Sequence, residues 1–271
     1  MPLTSTGIAY DRRDGATPPV LLLHAGVTDR TMWEPQWAAL GADLGLLRVD
    51  LRGFGESTVA PDGPLAHPRD VLSTLDELGV ERAHLVGASF GAGVAVETAL
   101  VAPDRVASLV LCPPGGSLLD DGDESLRRFV AAEDAALAAD DLAAAVEANV
   151  RTWVVGTGRG IEDVDPRVVE HVRLGQRRAF RAADELGDVE EEELDPPALA
   201  RLGEVGAPTL VLVGGHDLDA THATADRVAR DIPRATLVRW ADVAHLPSLE
   251  RPERFTSLLR DHLAQVAGPL P

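Results

Sequence analysis

The chain has 271 residues, 45 % hydrophobic and 25 % charged, a globular composition that excludes disorder and suits one large core carrying an inserted subdomain. Its 44 acidic residues oppose 25 basic ones, all arginine, for a formal charge of -19; so acidic a surface repels phosphate backbones and anionic bilayers, which argues against nucleic-acid and membrane partners. A single cysteine, Cys112, excludes an internal disulfide and a cysteine-rich metal site.

Residues 7–12 suit only a brief edge strand. Near-continuous apolar runs at 20–24 and 44–50 have the pattern of strands covered on both faces. A helix is expected over 65–78, ending at Gly79, and a strand over 83–87 that leads into a small-residue helix over 90–102, stopped by Pro103. Another strand follows at 106–112. Between 115 and 203 the rhythm breaks. Apart from a short strand-like Trp153-Val154-Val155, that interval holds amphipathic helical stretches at 125–149 and 166–186, and it is too long for a loop. Its acidic run at 188–195 suits a solvated connector closed by Pro196 and Pro197. Strands at 208–214 and 235–240 and helices at 221–232 and 252–266 complete the chain. The alternation predicts an α/β fold, a doubly wound and mostly parallel sheet: core segments 1–114 and 204–271 flank a helical cap at 115–203. No stretch reaches the ~18 apolar residues of a membrane span. Residues 1–7 lack an export-signal pattern, so a cytoplasmic protein is expected.

Gly87-Ala88-Ser89-Phe90-Gly91 fits G-x-S-x-G. The pattern is short, and its placement gives it weight: an apolar strand ends where a small-residue helix begins. Ser89 would stand on a tight corner above the sheet, with helix N–H groups behind it to favour developing negative charge. A serine needs a base. His245 follows the last predicted strand, at the sheet edge that Ser89 also occupies; His84 lies inside a strand, and His67, His171, His222 and His262 sit in helical or surface contexts. The base needs an acid to orient it. Asp217, in Gly214-Gly215-His216-Asp217, is the first candidate and Asp219 the alternative. Backbone donors for an oxyanion are Phe90 and, from the loop after the first core strand, Gly26 or alternatively Val27. His24 suits a bridging role in that loop, and the charged groups of residues 50–57 suit ion pairs between loops.

Several segments together are similar to the α/β-hydrolase superfamily, in the group with serine esterases, lactonases and meta-cleavage-product hydrolases. They are Leu23-His24-Ala25-Gly26 (with Ala25 where the family usually has glycine), Asp50 to Ser57 as D-x-R-G-x-G-x-S, the elbow, Gly214 to Asp217, and Ala244-His245-Leu246-Pro247. The resemblance implies Ser89, Asp217 and His245 as a triad, with a helical cap between the sixth and seventh strands. It implies a small-molecule ester or lactone as substrate, cleaved through an acyl-enzyme with no cofactor and no metal. Alternatives are carbon–carbon bond hydrolysis, a cofactor-free perhydrolase activity, or a noncatalytic ligand-binding or interaction protein on the same scaffold. Candidate pocket residues are Met32, Trp33, Phe129, Trp153 and Phe180. Arg151, Arg159, Arg177 and Arg178 suit a solvated cap face, so a neutral or weakly polar substrate is favoured. Monomer and homodimer are not distinguished.

Overall fold

Alternate residues along the central strands feed two separate cores. Val20 and Leu22, with Val86 and Ala88, face one side of the sheet, while Leu21, Leu23 and Leu85 face the other. This is the arrangement that a near-continuous apolar run encodes, since neighbouring side chains of a strand point to opposite faces. The computed structural model describes residues 2–41, 43–120 and 122–267; residues 1 and 268–271, the outer ends of the two expected core segments, and residue 121 of the expected cap lie outside the described residues. The strands are β1 (Tyr10–Arg13), β2 (Ala16–Leu23), β3 (Leu44–Val49), β4 (Ala83–Ser89), β5 (Val106–Pro114), β6 (Thr209–Gly214) and β7 (Ala235–Trp240). Their order is β1-β3-β2-β4-β5-β6-β7. β1 runs antiparallel to β3 and every other neighbouring pair is parallel.

Helices α1 (Glu34–Ala39), α2 (His67–Glu77) and α3 (Phe90–Val101) precede β5. Helices α4 (Glu124–Ala138), α5 (Leu142–Asn149) and α6 (Pro166–Leu186) lie between β5 and β6, and α7 (Asp219–Asp231), α8 (Pro247–Glu250) and α9 (Pro252–Ala267) follow. Phe255 and Leu259 of α9 join the Val20 core; Val71 of α2, Val94 of α3 and Val228 of α7 join the Leu21 core. Because β2 lies between β3 and β4, the winding direction reverses beside it. Such a reversal opens a crevice at the carboxyl ends of the strands.

Four details differ from the sequence-based expectation. The helical insertion follows the fifth strand, not the sixth, because the N-terminal segment contributes one strand and only an isolated Leu3–Ala9 bridge in place of a hairpin. The stretch 125–149 divides into α4 and α5 at Asp140, whose φ is 56°. There the Asp141 carboxylate accepts the Ala144 N–H at 2.9 Å, and such a cap favours a fresh helix start over continuation. Residues 153–155 are not a strand but part of a π-helical turn, Val150–Val155, ended by Gly156 at φ 74°. Val150, Trp153 and Val154 pack into the core shared with α9, so their apolarity reflects burial and not sheet pairing. The acidic run is not a free connector either: Leu65 donates its N–H to the Glu190 carbonyl at 2.7 Å and accepts from the Glu192 N–H at 2.8 Å. Among the described residues no helix is long and apolar enough to cross a membrane.

The loops after β2 and β3 are tied by buried charge. Asp50 accepts the Arg30 N–H at 2.8 Å and the Glu56 N–H at 2.9 Å, and pairs with the Arg30 guanidinium. Ser57 donates its hydroxyl to the Asp50 carbonyl and accepts the Ala9 N–H, which commits it to structure. Removing one partner of a buried pair is costly. Asp50→Ala is therefore expected to lower unfolding free energy by about 3–5 kcal/mol in urea denaturation, whereas Arg167→Ala, in a solvent-screened exposed pair with Asp165, should leave the unfolding midpoint nearly unchanged. Equal small losses in both would contradict the assignment.

Candidate active site

Ser89 ends β4 at φ 51° and ψ -111°, a backbone state rare for a residue with a side chain and typical of strained functional corners. Two glycines make the corner possible. A Cβ at Gly87 would overlap the Gly91 carbonyl, and one at Gly91 would overlap the carbonyls of Leu23 and His24. The Gly91 N–H donates to the His24 carbonyl at 3.1 Å, fastening the start of α3 to the end of β2.

Three side chains from distant segments form one hydrogen-bonded chain above this corner. His245 Nε2 lies 2.8 Å from Ser89 Oγ, and His245 Nδ1 lies 2.9 and 2.8 Å from the two oxygens of Asp217. Asp217 and His245 are each 1 % exposed. The Asp217 carboxylate, which also takes the Leu218 N–H at 2.8 Å, accepts only. It therefore places the imidazole proton on Nδ1 and leaves the Nε2 lone pair for the serine hydroxyl. Asp219, the alternative acid, is exposed in the first turn of α7.

The insertion holds these loops in place. The His245 N–H donates to the Trp153 carbonyl at 3.3 Å, and the Trp153 ring lies 4.4 Å from the imidazole, centre to centre. Thr157 donates its N–H to the His216 carbonyl at 2.7 Å and its hydroxyl to the Asp217 carbonyl at 3.3 Å. Arg159 is not on a solvated face. It donates to the Val154 and Val155 carbonyls and pairs at 2.7 Å with Glu250, whose other oxygen takes the Ala244 N–H beside His245.

In the loop after β2 the Thr28 N–H donates to the Ala25 carbonyl at 3.1 Å. This closes a turn whose two central residues are Gly26 and Val27; central amides take no part in such a closure. Both residues, with Phe90, border the same cleft as Ser89 and His245. His24 bridges the loop as expected, its ring contacting the Ala25 carbonyl and accepting the Leu51 N–H.

A family model described as alpha/beta hydrolase fold matches residues 18–252. The chain belongs to the α/β-hydrolase fold family. It is 29 % identical over 94 % of its length to the dihydrolipoyllysine-residue acetyltransferase component of the acetoin cleaving system of Cupriavidus necator, and spans 66 % of that protein's length. Among solved structures it is similar to the enol-lactonase of Burkholderia xenovorans LB400, with a TM-score of 0.76, 28 % identity, and coverage of 96 % of this chain and 98 % of the other. It is also similar to a thermophilic esterase of Thermogutta terrifontis, with a TM-score of 0.75, 29 % identity, and coverage of 96 % and 93 %.

In this α/β-hydrolase the cleft between sheet and insertion has a volume of about 640 Å³. Phe129, Trp153 and Phe180 border it, with Phe129 edge-on to Trp153 at 5.0 Å. Met32 and Trp33, expected at the pocket, do not border it: both are fully buried beneath the loop. The Met32 thioether instead accepts from the Ala25 N–H and the Thr28 hydroxyl at 3.2 and 3.3 Å. Cys112 is buried and donates to the Gly87 carbonyl, and burial pushes its thiol pKa up, which keeps it protonated. Among the described residues no three His, Cys, Asp or Glu side chains are gathered for a metal.

Sequence reasoning passed over His67, which stands edge-on to Phe90 at 5.0 Å and borders the cleft. The chain leaving β3 must cross the same rim to reach α2, which was the available signal. Burial lowers the His67 pKa to about 4, and His84, packed inside the sheet, is lowered to about 4 as well. Their unfolded values lie near 6.5. Between these limits the unfolded chain binds more protons, so stability rises with pH through the window and is lost as pH falls from 6.5 toward 4. His67→Gln should flatten the fall of Tm across that window in scanning calorimetry; a slope identical to wild type would contradict the buried neutral imidazole.

Proposed function

We propose that the protein is a serine hydrolase that cleaves carboxylic esters or lactones through an acyl-enzyme. The observation that carries this reading is the unbroken chain from Asp217 through His245 to Ser89, fixed at a strained corner on a cleft that Gly26, Val27 and Phe90 also border. His245 Nε2 takes the hydroxyl proton as Ser89 Oγ bonds to the substrate carbonyl carbon. The carbonyl electron pair moves onto oxygen, where the N–H groups of Phe90 and of Gly26 or Val27 stabilise it. Asp217 keeps the proton of Nδ1 in place and stabilises the imidazolium without taking that proton. Collapse expels the alkoxide, which receives the proton from Nε2. His245 then removes a proton from water, which attacks the acyl carbon; collapse of this second intermediate returns that proton from Nε2 to Ser89 Oγ and releases the acid.

Water is the final acceptor in this scheme, and the residues named suffice for both half-reactions. Similarity to an esterase and to an enol-lactonase supports the same class, because a lactone is an ester closed on itself. Wild-type protein should turn over p-nitrophenyl acetate and simple lactones. Ser89→Ala should lose at least about 10³-fold in kcat, and Asp217→Asn about 10⁴-fold with its circular dichroism unchanged. Undiminished turnover by folded Ser89→Ala would refute the mechanism.

A further inference from the structure

The wall of the cleft contributed by the insertion carries a polar group that the proposed chemistry does not use. Gln176 is 5 % exposed, borders the cleft, and its buried Oε1 has no hydrogen-bond partner. Its place is unusual for a polar residue. On α6 it follows Val169 and Val172 and precedes Ala179 on the buried stripe, where spacing of three and four residues normally demands apolar side chains. A buried acceptor left unpaired is costly unless a ligand meets it.

Glu133 and Asn149, also contributed by the insertion, border the same cleft. Asn149, 3 % exposed, spends its amide on two acceptors, the Ala145 carbonyl at 3.0 Å and Glu133 Oε1. Both are acceptors, so the nitrogen assignment is fixed, and the Glu133 side chain is held in one position. The second Glu133 oxygen has no protein partner among the described residues, and desolvation raises the carboxyl's pKa. Glu133 lies one helical turn beyond Phe129, whose ring packs on Trp153 and through it on His245. The polar group therefore sits past an aromatic wall from the serine.

Charge narrows what can reach it. Arg52, the arginine bordering the cleft, is consumed by Asp70 and by the carbonyls of Thr6 and Val59. Among the described residues that border the cleft no other arginine is present to meet a carboxylate.

Building on the ester and lactone reading, we propose that Gln176 and Glu133, the latter held by Asn149, form a specificity subsite. It accepts a hydrogen-bond donor, a hydroxyl or an amide N–H, carried by an uncharged substrate under the cap. The Gln176 carbonyl oxygen and the Glu133 carboxylate can accept from a donor, and the Glu133 charge, with no other arginine among the described residues bordering the cleft, disfavours a carboxylate; a site built to bond a donor discriminates against the analogue that lacks it.

The test compares p-nitrophenyl esters of hydroxyacyl, N-acetylaminoacyl, methoxyacyl and hemisuccinate groups of matched length. Wild type should favour the hydroxyl or the amide ester over the methoxy ester by about tenfold in kcat/KM and should process the anionic ester slowest. Gln176→Met, close in volume, should bring the ratio of donor to methoxy ester to about one, and Glu133→Gln should reduce it. Equal rates for donor and methoxy esters in wild type, a preference for the hemisuccinate, or a ratio preserved in Gln176→Met would each overturn the subsite. Absence of all turnover would refute the hydrolase reading alone. Calorimetric titration of Ser89→Ala with the corresponding hydroxyacyl and methoxyacyl amides then decides the subsite: tighter binding of the hydroxyl form supports it, and equal binding overturns it.

Discussion

The geometry of this protein depends on a constraint exerted from outside the sheet. Ser89 is fixed by β4 and α3, but Asp217 and His245 stand on loops that parallel strands alone would leave loose. The segment from Trp153 to Arg159 reaches both. It takes an N–H from His245, gives an N–H to His216 and a hydroxyl proton to the Asp217 carbonyl, and closes with the Arg159–Glu250 pair. That pair is almost wholly buried, at 7 % and 3 % side-chain exposure. Its desolvation cost is offset by donation to the Val154 and Val155 carbonyls and by the Ala244 N–H on Glu250. Gly156 marks the tightest approach, since a Cβ there would overlap the His216 carbonyl. The insertion thus acts as a clamp on the Asp217 and His245 loops as well as a wall of the cleft.

The same economy appears under the loop of Gly26 and Val27. Gly175 of α6 passes so close to this loop that a Cβ would stand 2.9 Å from the Val27 carbonyl. Met32 supports the loop from below through its sulfur. The proposed donors of Gly26 and Val27 are therefore bracketed by the cap on one side and the core on the other. Preorganised amides of this kind act without rearranging as charge develops. The insertion thereby both borders the cleft and braces the loops that carry Asp217, His245 and Gly26, so substitutions in it reach both.

Much of this was legible in the sequence, and the reasons are local. Runs such as Leu21-Leu22-Leu23 identify strands because a doubly covered sheet needs apolar side chains on both faces. Helix α6 was readable to its ends, because Asp165 and Pro166 signal its start and Gly187 its stop. The glycine-flanked serine and the two loops at strand ends pointed to one rim. What escaped depended on contacts between distant segments. Nothing near Arg159 in the chain announces Glu250, so it had the pattern of a solvated arginine. Met32 and Trp33 are adjacent to the loop in sequence yet lie beneath it, since the 3₁₀ turn at Arg30–Trp33 directs them into the core. Trp153-Val154-Val155 has strand-like composition, but its apolar side chains are satisfied by the α9 core. Gln176 was detectable as a polar residue on an apolar helical stripe, a local inconsistency of the sort that marks functional positions.

The most direct test of the central claim is covalent labelling by diethyl p-nitrophenyl phosphate, followed by intact mass and peptide mapping. A hydroxyl made nucleophilic by His245 should give one diethylphosphoryl group per chain, on Ser89, with release of one p-nitrophenol and with labelling nearly abolished in His245→Ala. A folded protein that stays unlabelled, or that is labelled at another residue while Ser89 remains free, would contradict the account.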